Sequence, residues 1–263
     1  MKISVSNIAW GPEDDETVFR RMREYGFSGL EIAPTRIIPD APYDHIPRAA
    51  RFAQALRERY GFAVSSMQSI WYGVAEKVFG PAENRTRLTA YTKKAVDFAE
   101  AVGCGNLVFG CPRNRALPEG ADPAAAVPFF RELGDYAAAH HTALSLEANP
   151  PIYGTNYINT TAEALELIRE VNSEGFGLNL DTGAMAENGE GIEVLRGSEK
   201  WIRHVHISEP GLVPLRRRPL HRELAAFLRS FSYAGFVSLE AARPENPAAL
   251  AEMMEYVSCL FGS

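Results

Sequence analysis

The sequence predicts an α/β protein of the (β/α)₈ TIM barrel class, built as a single domain over residues 1–263. Short apolar runs alternate with amphipathic helical stretches eight times, and such alternation favours a parallel sheet. Eight units within about 250 residues match the size of such a barrel. No Ser/Gly-rich linker or change of composition divides the chain. A doubly wound open sheet is the structural alternative.

Eight apolar or alternating runs are the predicted strands, because their length and periodicity suit buried β-structure. They cover residues 2–10, 29–36, 62–71, 106–114, 143–150, 176–183, 202–210 and 235–242. A helix is predicted after each run, because Pro, acidic first turns and Gly mark helix starts and stops there. The helical stretches are 13–26, 47–61, 82–103, 122–141, 160–175, 191–197, 219–235 and 246–262.

Composition and charge narrow the classes of partner. The net charge is −6, which gives no general attraction for polyanions, so nucleic acid and anionic membranes are not expected as partners. No apolar window is long enough for a membrane span, and the N-terminal apolar run is too short for a signal peptide. The three cysteines form no CxxC pair and no even-numbered disulfide framework. We therefore expect a cytoplasmic protein without a membrane segment.

Metal-capable side chains end four consecutive strand runs. Glu147, Asp181 and Glu240 each follow an apolar strand body, and His206 lies in the segment HVHISEP. Successive members are 34, 25 and 34 residues apart. Functional groups of such barrels come from the C-terminal strand ends, and neighbouring strands are about 4.8 Å apart. One acid alone could cap a helix or pair with Arg, but four such residues on successive strands favour a shared ion.

The chemistry of this set indicates one divalent cation. Three carboxylates and an imidazole suit Mn²⁺, Mg²⁺ or Co²⁺ better than a structural zinc, although Zn²⁺ stays open. Burying three like charges without a cation is strongly unfavourable. His204 shares a strand face with His206 because the two are two residues apart. We interpret His204 as a core or supporting histidine rather than a ligand.

Four segments resemble one known family when taken in order: LSLEANP, LNLDTG, HVHISEP and VSLEA. They are similar to the xylose isomerase-like barrels, which include ketose 3-epimerases, hydroxypyruvate isomerase and other sugar (phosphate) isomerases and epimerases. The resemblance covers essentially the whole chain. It implies that Glu147, Asp181, His206 and Glu240 bind one divalent ion, most often Mn²⁺. It also implies that Glu147 and Glu240 act as acid and base. Family members are often dimers or tetramers, so a homo-oligomer is open.

The resemblance implies an enzyme that moves a proton next to a carbonyl group. A cation bound to adjacent carbonyl and hydroxyl oxygens stabilises the developing enediolate, and a positioned carboxylate contributes roughly 10²–10⁴-fold as general base. We expect a metal-dependent isomerase or epimerase of a sugar or sugar-like polyol. The alternatives are a metal-dependent lyase, dehydratase or C-glycoside-cleaving enzyme on the same site, and a non-catalytic sugar-binding module. An endonuclease IV-type barrel would need further histidines that this sequence lacks.

Six residues near predicted strand ends are expected to contact substrate: Trp10, Gln68, Arg113, Asn149, Glu209 and Arg216. The loop around Arg216 is either an anion clamp or a solvated basic segment. Three positions depart from the ketose 3-epimerase pattern, because Tyr153, Ala184 and Leu212 stand where those enzymes have an acid, a His and an Arg. The departures favour a modified sugar, a cyclitol or a larger glycoside-like substrate over a free ketohexose.

Overall fold

The computed structural model describes residues 1–262 and has eight parallel strands that close into a barrel. Each strand pairs with the next along the chain, and β8 pairs with β1. The strands are β1 (Lys2–Ser6), β2 (Gly29–Ile32), β3 (Ala63–Met67), β4 (Leu107–Phe109), β5 (Leu144–Glu147), β6 (Phe176–Asp181), β7 (Ile202–Ile207) and β8 (Phe236–Leu239). Every one lies inside a predicted run, so the (β/α)₈ class is confirmed. That residues 1–263 form one domain stays a prediction.

Helices follow the strands and form the outer layer of the barrel. They are α1 (Asp15–Glu24), α2 (Pro34–Ile37), α3 (Ile46–Tyr60), α4 (Ala82–Val102), α5 (Ala126–Ala139), α6 (Thr161–Val171), α7 (Thr182–Asn188), α8 (Pro219–Ser230) and α9 (Pro247–Phe261). None of the helices within residues 1–262 combines the length and hydropathy that crossing a bilayer requires.

Three glycines stop helices where the sequence predicts it. Gly26, Gly61 and Gly103 follow α1, α3 and α4 with φ values of 74°, 77° and 68°. This left-handed conformation ends a helix at little cost only when the residue has no Cβ. The three stops fix where the chain turns back toward the sheet.

The connection between β6 and β7 differs from the prediction. The sequence predicts strand up to residue 183, but α7 begins directly after Asp181, whose side chain accepts a hydrogen bond of 2.5 Å from the Ala184 backbone N–H. This is an N-cap, which satisfies an otherwise unpaired donor of the first helical turn. The predicted helix at 191–197 is a single 3₁₀ segment, Ile192–Leu195. The early helix start leaves Asp181 at the very end of its strand.

Polar side chains line much of the barrel interior. Side chains alternate along each strand, so every second residue faces inward. The buried inward positions include Glu31, Asn106, Ser145, Asn179 and His206. Asn106 bridges its neighbours, because its amide nitrogen donates to Ser66 Oγ at 2.9 Å and its amide oxygen accepts from Ser145 Oγ. The apolar core therefore lies mainly between the sheet and the helices.

Aromatic packing fills the space between the sheet and α5. Phe130 of that helix packs against Phe109 of β4 and Phe176 of β6, with ring centroids 5.0 and 5.2 Å apart. Trp71 approaches Phe109 edge to face at 4.7 Å. Such pairs contribute roughly 0.5–1.5 kcal/mol each beyond the area they bury. They hold β4 and β6 against α5.

Candidate metal centre at the barrel mouth

Strand register brings the four predicted ligands together. Asp181 is paired with His206 across β6 and β7, and Glu147 is paired with Asn179 across β5 and β6. Glu240 follows β8, where its backbone N–H donates to the Ile207 carbonyl. Each of the four residues offers one ligand atom, and these atoms lie within 4.8 Å of one another. The arrangement can hold a single cation.

His206 lies at the centre of the three acids. Its Nδ1 is 3.0 Å from Glu240 Oε2, 3.2 Å from Glu147 Oε2 and 3.9 Å from Asp181 Oδ2. Burial alone would lower the pKa of His206, but the attraction of Glu240 and Glu31 outweighs burial and holds that pKa well above its ordinary value. The imidazolium therefore supplies, within the described residues, the positive charge that the carboxylates require.

Hydrogen bonds orient each carboxylate. Asp181 Oδ2 accepts from Ser208 Oγ at 2.6 Å, while its other oxygen caps α7. Glu147 accepts from Asn149 Nδ2 at 2.9 Å and from Asn179 Nδ2 at 2.6 Å. These bonds leave the acids facing one another, which is the arrangement that a divalent ion stabilises.

Repulsion among the acids shifts their protonation. Burial first, and then the charges of Glu147 and Glu240, raise the pKa of Asp181 to about 7. Burial and the neighbouring Glu147 and Glu31 charges also raise the pKa of Glu240, although His206 opposes this shift. A divalent ion would remove the repulsion. The donor set and its stored repulsion therefore fit a resident divalent metal ion.

A cavity of about 180 Å³ is lined by three of the four residues, Glu147, Asp181 and Glu240. Its lining carries polar groups from several loops and includes Gln68, Asn149 and Tyr153. Tyr153 Oη accepts a hydrogen bond of 2.8 Å from the Gly211 N–H, which ties the β5–α6 loop to the β7–α8 loop. The cavity therefore has acids at its floor, and its walls combine amide and hydroxyl groups with apolar side chains such as Val108 and Leu212.

Three lining residues have left-handed backbone conformations without being glycine. Ser69, Cys111 and Leu212 have φ values of 54°, 45° and 56°. Such conformations each cost on the order of 1–3 kcal/mol and persist only where surrounding structure enforces them. Their concentration around one cavity is typical of a functional site.

The six expected substrate contacts separate into two groups. Gln68 and Asn149 line the cavity. Trp10 is buried and donates to Asp15 Oδ1 at 2.7 Å, and Glu209 is buried in an ion pair with Arg218 at 2.5 Å. Arg113 and Arg216 are exposed, as the burial pattern of their loops shows. The structure thus brings two of the six to the cavity lining and places four outside it.

Several supporting residues escaped the sequence analysis. Glu31 on β2 contacts His206, Asn179 holds Glu147, and Ser208 holds Asp181. Buried Arg115 donates to Asn149 Oδ1 at 3.0 Å, which fixes the amide so that its nitrogen faces Glu147. The signal for Asn179 was present, because it lies two residues before Asp181 and shares its face. No comparable local signal marks Glu31, which reaches the cluster from across the barrel.

The family follows from the sequence itself. The model of the xylose isomerase-like TIM barrel family matches residues 19–258. The chain therefore belongs to that family, and the resemblance drawn from the four strand-end segments is confirmed. No curated protein sequence matches the chain.

Solved structures share the fold at low sequence identity. D-psicose 3-epimerase from Clostridium cellulolyticum H10 has a TM-score of 0.79 at 16% identity, covering 100% of this chain and 98% of its own. The 3-keto-D-glucoside 4-epimerase YcjR from E. coli has a TM-score of 0.78 at 23% identity, covering 98% and 99%. An AP endonuclease, family 2, from Brucella melitensis has a TM-score of 0.75 at 19% identity, covering 98% and 99%. At these identities the likeness shows a common fold.

Proposed function

We propose that this protein is a divalent-metal-dependent isomerase or epimerase of a sugar or sugar-like polyol. The observation that carries the proposal is the convergence of Glu147, Asp181, His206 and Glu240 on one point at the floor of an open cavity. These four side chains would hold the ion. The oxygen-rich donor set favours Mn²⁺, with Mg²⁺, Co²⁺ and Zn²⁺ as alternatives.

The bound ion would polarise the carbonyl of the substrate and so acidify the adjacent C–H bond. Glu147 and Glu240 then act as base and acid. They come from β5 and β8, three strands apart around the rim, and both line the cavity. One carboxylate takes the proton, and the other returns a proton from a different side of the substrate. This pairing supports epimerisation or isomerisation, since a carbon or its neighbour can be reprotonated from either direction.

Hydrogen bonds hold the two glutamates ready for this role. Gln68 Nε2 donates to Glu240 Oε1 at 2.9 Å. Asn149 and Asn179 hold the two oxygens of Glu147. A base must be held within reach of the proton that it removes, and such amide contacts restrict the carboxylate to a narrow set of positions.

The cavity walls suit a molecule rich in hydroxyl groups. The lining offers amides from Gln68 and Asn149 and hydroxyls from Ser69 and Tyr153. Amide and hydroxyl groups are the donors and acceptors that orient polar ligands in such pockets. The names of the two epimerase relatives, which refer to psicose and a 3-keto-glucoside, support a sugar as the substrate class.

Two of the three departures from the ketose 3-epimerase pattern lie on the cavity lining. Tyr153 and Leu212 face the cavity, whereas Ala184 is buried within α7. A tyrosine and a leucine replace charged groups and present a less polar surface to substrate. This supports a modified sugar or glycoside-like substrate over a free ketohexose.

The test is a panel of ketoses and 3-keto-glycosides incubated with protein and Mn²⁺ in D₂O. NMR and mass spectrometry follow the reaction. We expect one product of unchanged mass, apart from a deuterium at the carbon that exchanges its proton. Glu240→Gln should lower turnover by roughly 10²–10⁴-fold. Glu190→Gln should leave turnover intact, because Glu190 caps α6 outside the cluster. A product that has lost water or an aglycone would replace isomerisation with the lyase alternative.

A further inference from the structure

Glu31 is a fully buried carboxylate on β2 that the proposed reaction does not use. Its Oε2 lies 2.9 Å from the Nε2 atoms of both His204 and His206. The contact to His206 is a well-aligned hydrogen bond. The contact to His204 has the right distance but not the right angle, so the His204 Nε2 has no aligned partner among residues 1–262. Glu31 therefore interacts chiefly with His206.

The two nitrogens of His206 face different surroundings. Nδ1 faces the three carboxylates at the cavity floor, and Nε2 faces Glu31 in the interior. An imidazole that binds a metal ion through one nitrogen carries its proton on the other. An acceptor beside that second nitrogen fixes both the tautomer and the ring orientation.

We propose that Glu31 is a positioning residue that keeps a proton on His206 Nε2 and so makes Nδ1 the metal-binding nitrogen. This inference rests on the metal site proposed above. Glu31 does not line the cavity, and it acts chiefly through the histidine. No direct contact with substrate is required of it.

A second contact extends the role of Glu31 to β8. Gln68 Nε2 lies 3.5 Å from Glu31 Oε1 and donates at shorter distance to Ser6 Oγ and Glu240 Oε1. One amide therefore lies between Glu31 and a second proposed ligand. A change at position 31 is expected to reach both His206 and Glu240.

The geometry argues against a second metal ion at Glu31. Glu31, His204 and His206 also lie close enough to be considered as ligands. However, the short distances converge on a single carboxylate oxygen, Glu31 Oε2, with which His206 Nε2 already forms a hydrogen bond of 2.9 Å. With His206 Nε2 engaged there, only His204 Nε2 and Glu31 Oε1 remain, which is fewer ligands than the three or four protein atoms that a bound ion takes. Glu31 supports the cluster rather than forming another.

The experiment compares wild type with Glu31→Gln and Glu31→Leu. Gln keeps an acceptor oxygen without the charge, whereas Leu removes the acceptor and keeps the site filled. Glu190→Gln is the matched control. Mn²⁺ affinity is measured from free Mn²⁺ by electron paramagnetic resonance. The state of His206 is measured by NMR on ¹⁵N-histidine protein loaded with diamagnetic Zn²⁺, with the His206 signals assigned by substitution.

We expect Zn²⁺ on Nδ1 and a hydrogen-bonded proton on Nε2 in wild type. Glu31→Leu should lose that proton signal and weaken Mn²⁺ binding by roughly 10–100-fold, the usual effect of removing such a partner. Glu31→Gln should fall between wild type and Leu, and the control should match wild type. Unfolding measured in parallel separates these effects from loss of structure.

Two results would overturn the inference without touching the proposed function. One is ligation through Nε2 in wild type. The other is unchanged Mn²⁺ affinity in both Glu31 variants while wild type binds the ion. Wild-type protein that binds neither Mn²⁺ nor Zn²⁺ would instead refute the proposed function, and the role of Glu31 with it.

Discussion

Replacing Asp181 by Asn should stabilise the metal-free protein, increasingly so as pH rises. The structure allows the substitution, because Asn is as good an N-cap as Asp and can still accept from the Ala184 N–H. Ser208 Oγ, which donates to Asp181, can turn to accept from the new amide. The fold should therefore tolerate the change, and the main difference between the proteins is a buried charge.

The size of the effect follows from the displaced pKa of Asp181. Burial and the charges of Glu147 and Glu240 raise this pKa from 3.8 to about 7. The folded protein holds the proton more tightly than the unfolded chain, so the stability that this carboxyl contributes is complete below pH 3.8. That stability is lost as pH rises through about 7. The loss amounts to about 2 kcal/mol at pH 5 and about 4 kcal/mol at pH 8. Asn does not titrate, so its advantage should grow by about 2 kcal/mol between pH 5 and pH 8.

The assay is urea denaturation of chelator-treated wild type and variant at several pH values between 5 and 8. Asp122→Asn is a control, because Asp122 also caps a helical segment but is solvent-exposed. The control shows what the exchange of a capping Asp for Asn does where no buried charge is removed. Added Mn²⁺ should stabilise wild type far more than Asp181→Asn. The reasoning would be refuted if the free energy of unfolding of Asp181→Asn, relative to that of wild type, stayed constant or decreased as pH rises.

Three further predictions concern catalysis, metal binding and packing. Glu147→Gln and Glu240→Gln should each lower turnover by roughly 10²–10⁴-fold in the substrate-panel assay. Mn²⁺ affinity should fall by at least tenfold per pH unit below pH 7, since Asp181 and His206 must each lose a proton to bind the ion. Gly183→Ala should lower the free energy of unfolding by roughly 1–3 kcal/mol, because its Cβ would lie 2.7 Å from a serine hydroxyl. Gly105→Ala is the control, because its Cβ would meet nothing within 4 Å.

Each of these predictions has a clear opposite. Turnover that survives either glutamine substitution would remove that glutamate from the acid/base pair. Mn²⁺ affinity independent of pH between 5 and 7 would contradict a protonated Asp181 in the metal-free protein. If Gly183→Ala and Gly105→Ala had equal free energies of unfolding, the residues that contact Gly183 could shift without loss of stability.

The fold was predictable because its signals are local. Eight apolar runs, helices with glycine stops and the even spacing of βα units all appear in consecutive residues. Strand ends were less accurate, because β4 is only Leu107–Phe109 within a run predicted over 106–114. The difference arises from tertiary contacts, since the strand ends where the loop turns over the cavity rather than where hydrophobicity changes.

The candidate site was predictable where position along a strand decides it. Glu147, Asp181, His206 and Glu240 lie at equivalent places on four successive strands, so topology alone brings them together. Trp10 and Glu209 show the limit, because both lie at the ends of predicted strands but find partners nearby, in Asp15 and Arg218. Loop paths decide such cases, and they depend on contacts between distant residues. Glu31 needed the closed barrel, since its partner is 175 residues away.

The residues that line the cavity come from two kinds of segment, strand ends and loops. Its acidic floor belongs to strand ends fixed by the sheet, while Ser69, Tyr153 and Leu212 belong to connections that leave the sheet. Different parts of the chain therefore determine the reaction and the choice of substrate. Exchange of those connections offers a route to new substrates for protein engineering, with the ion-holding framework left untouched.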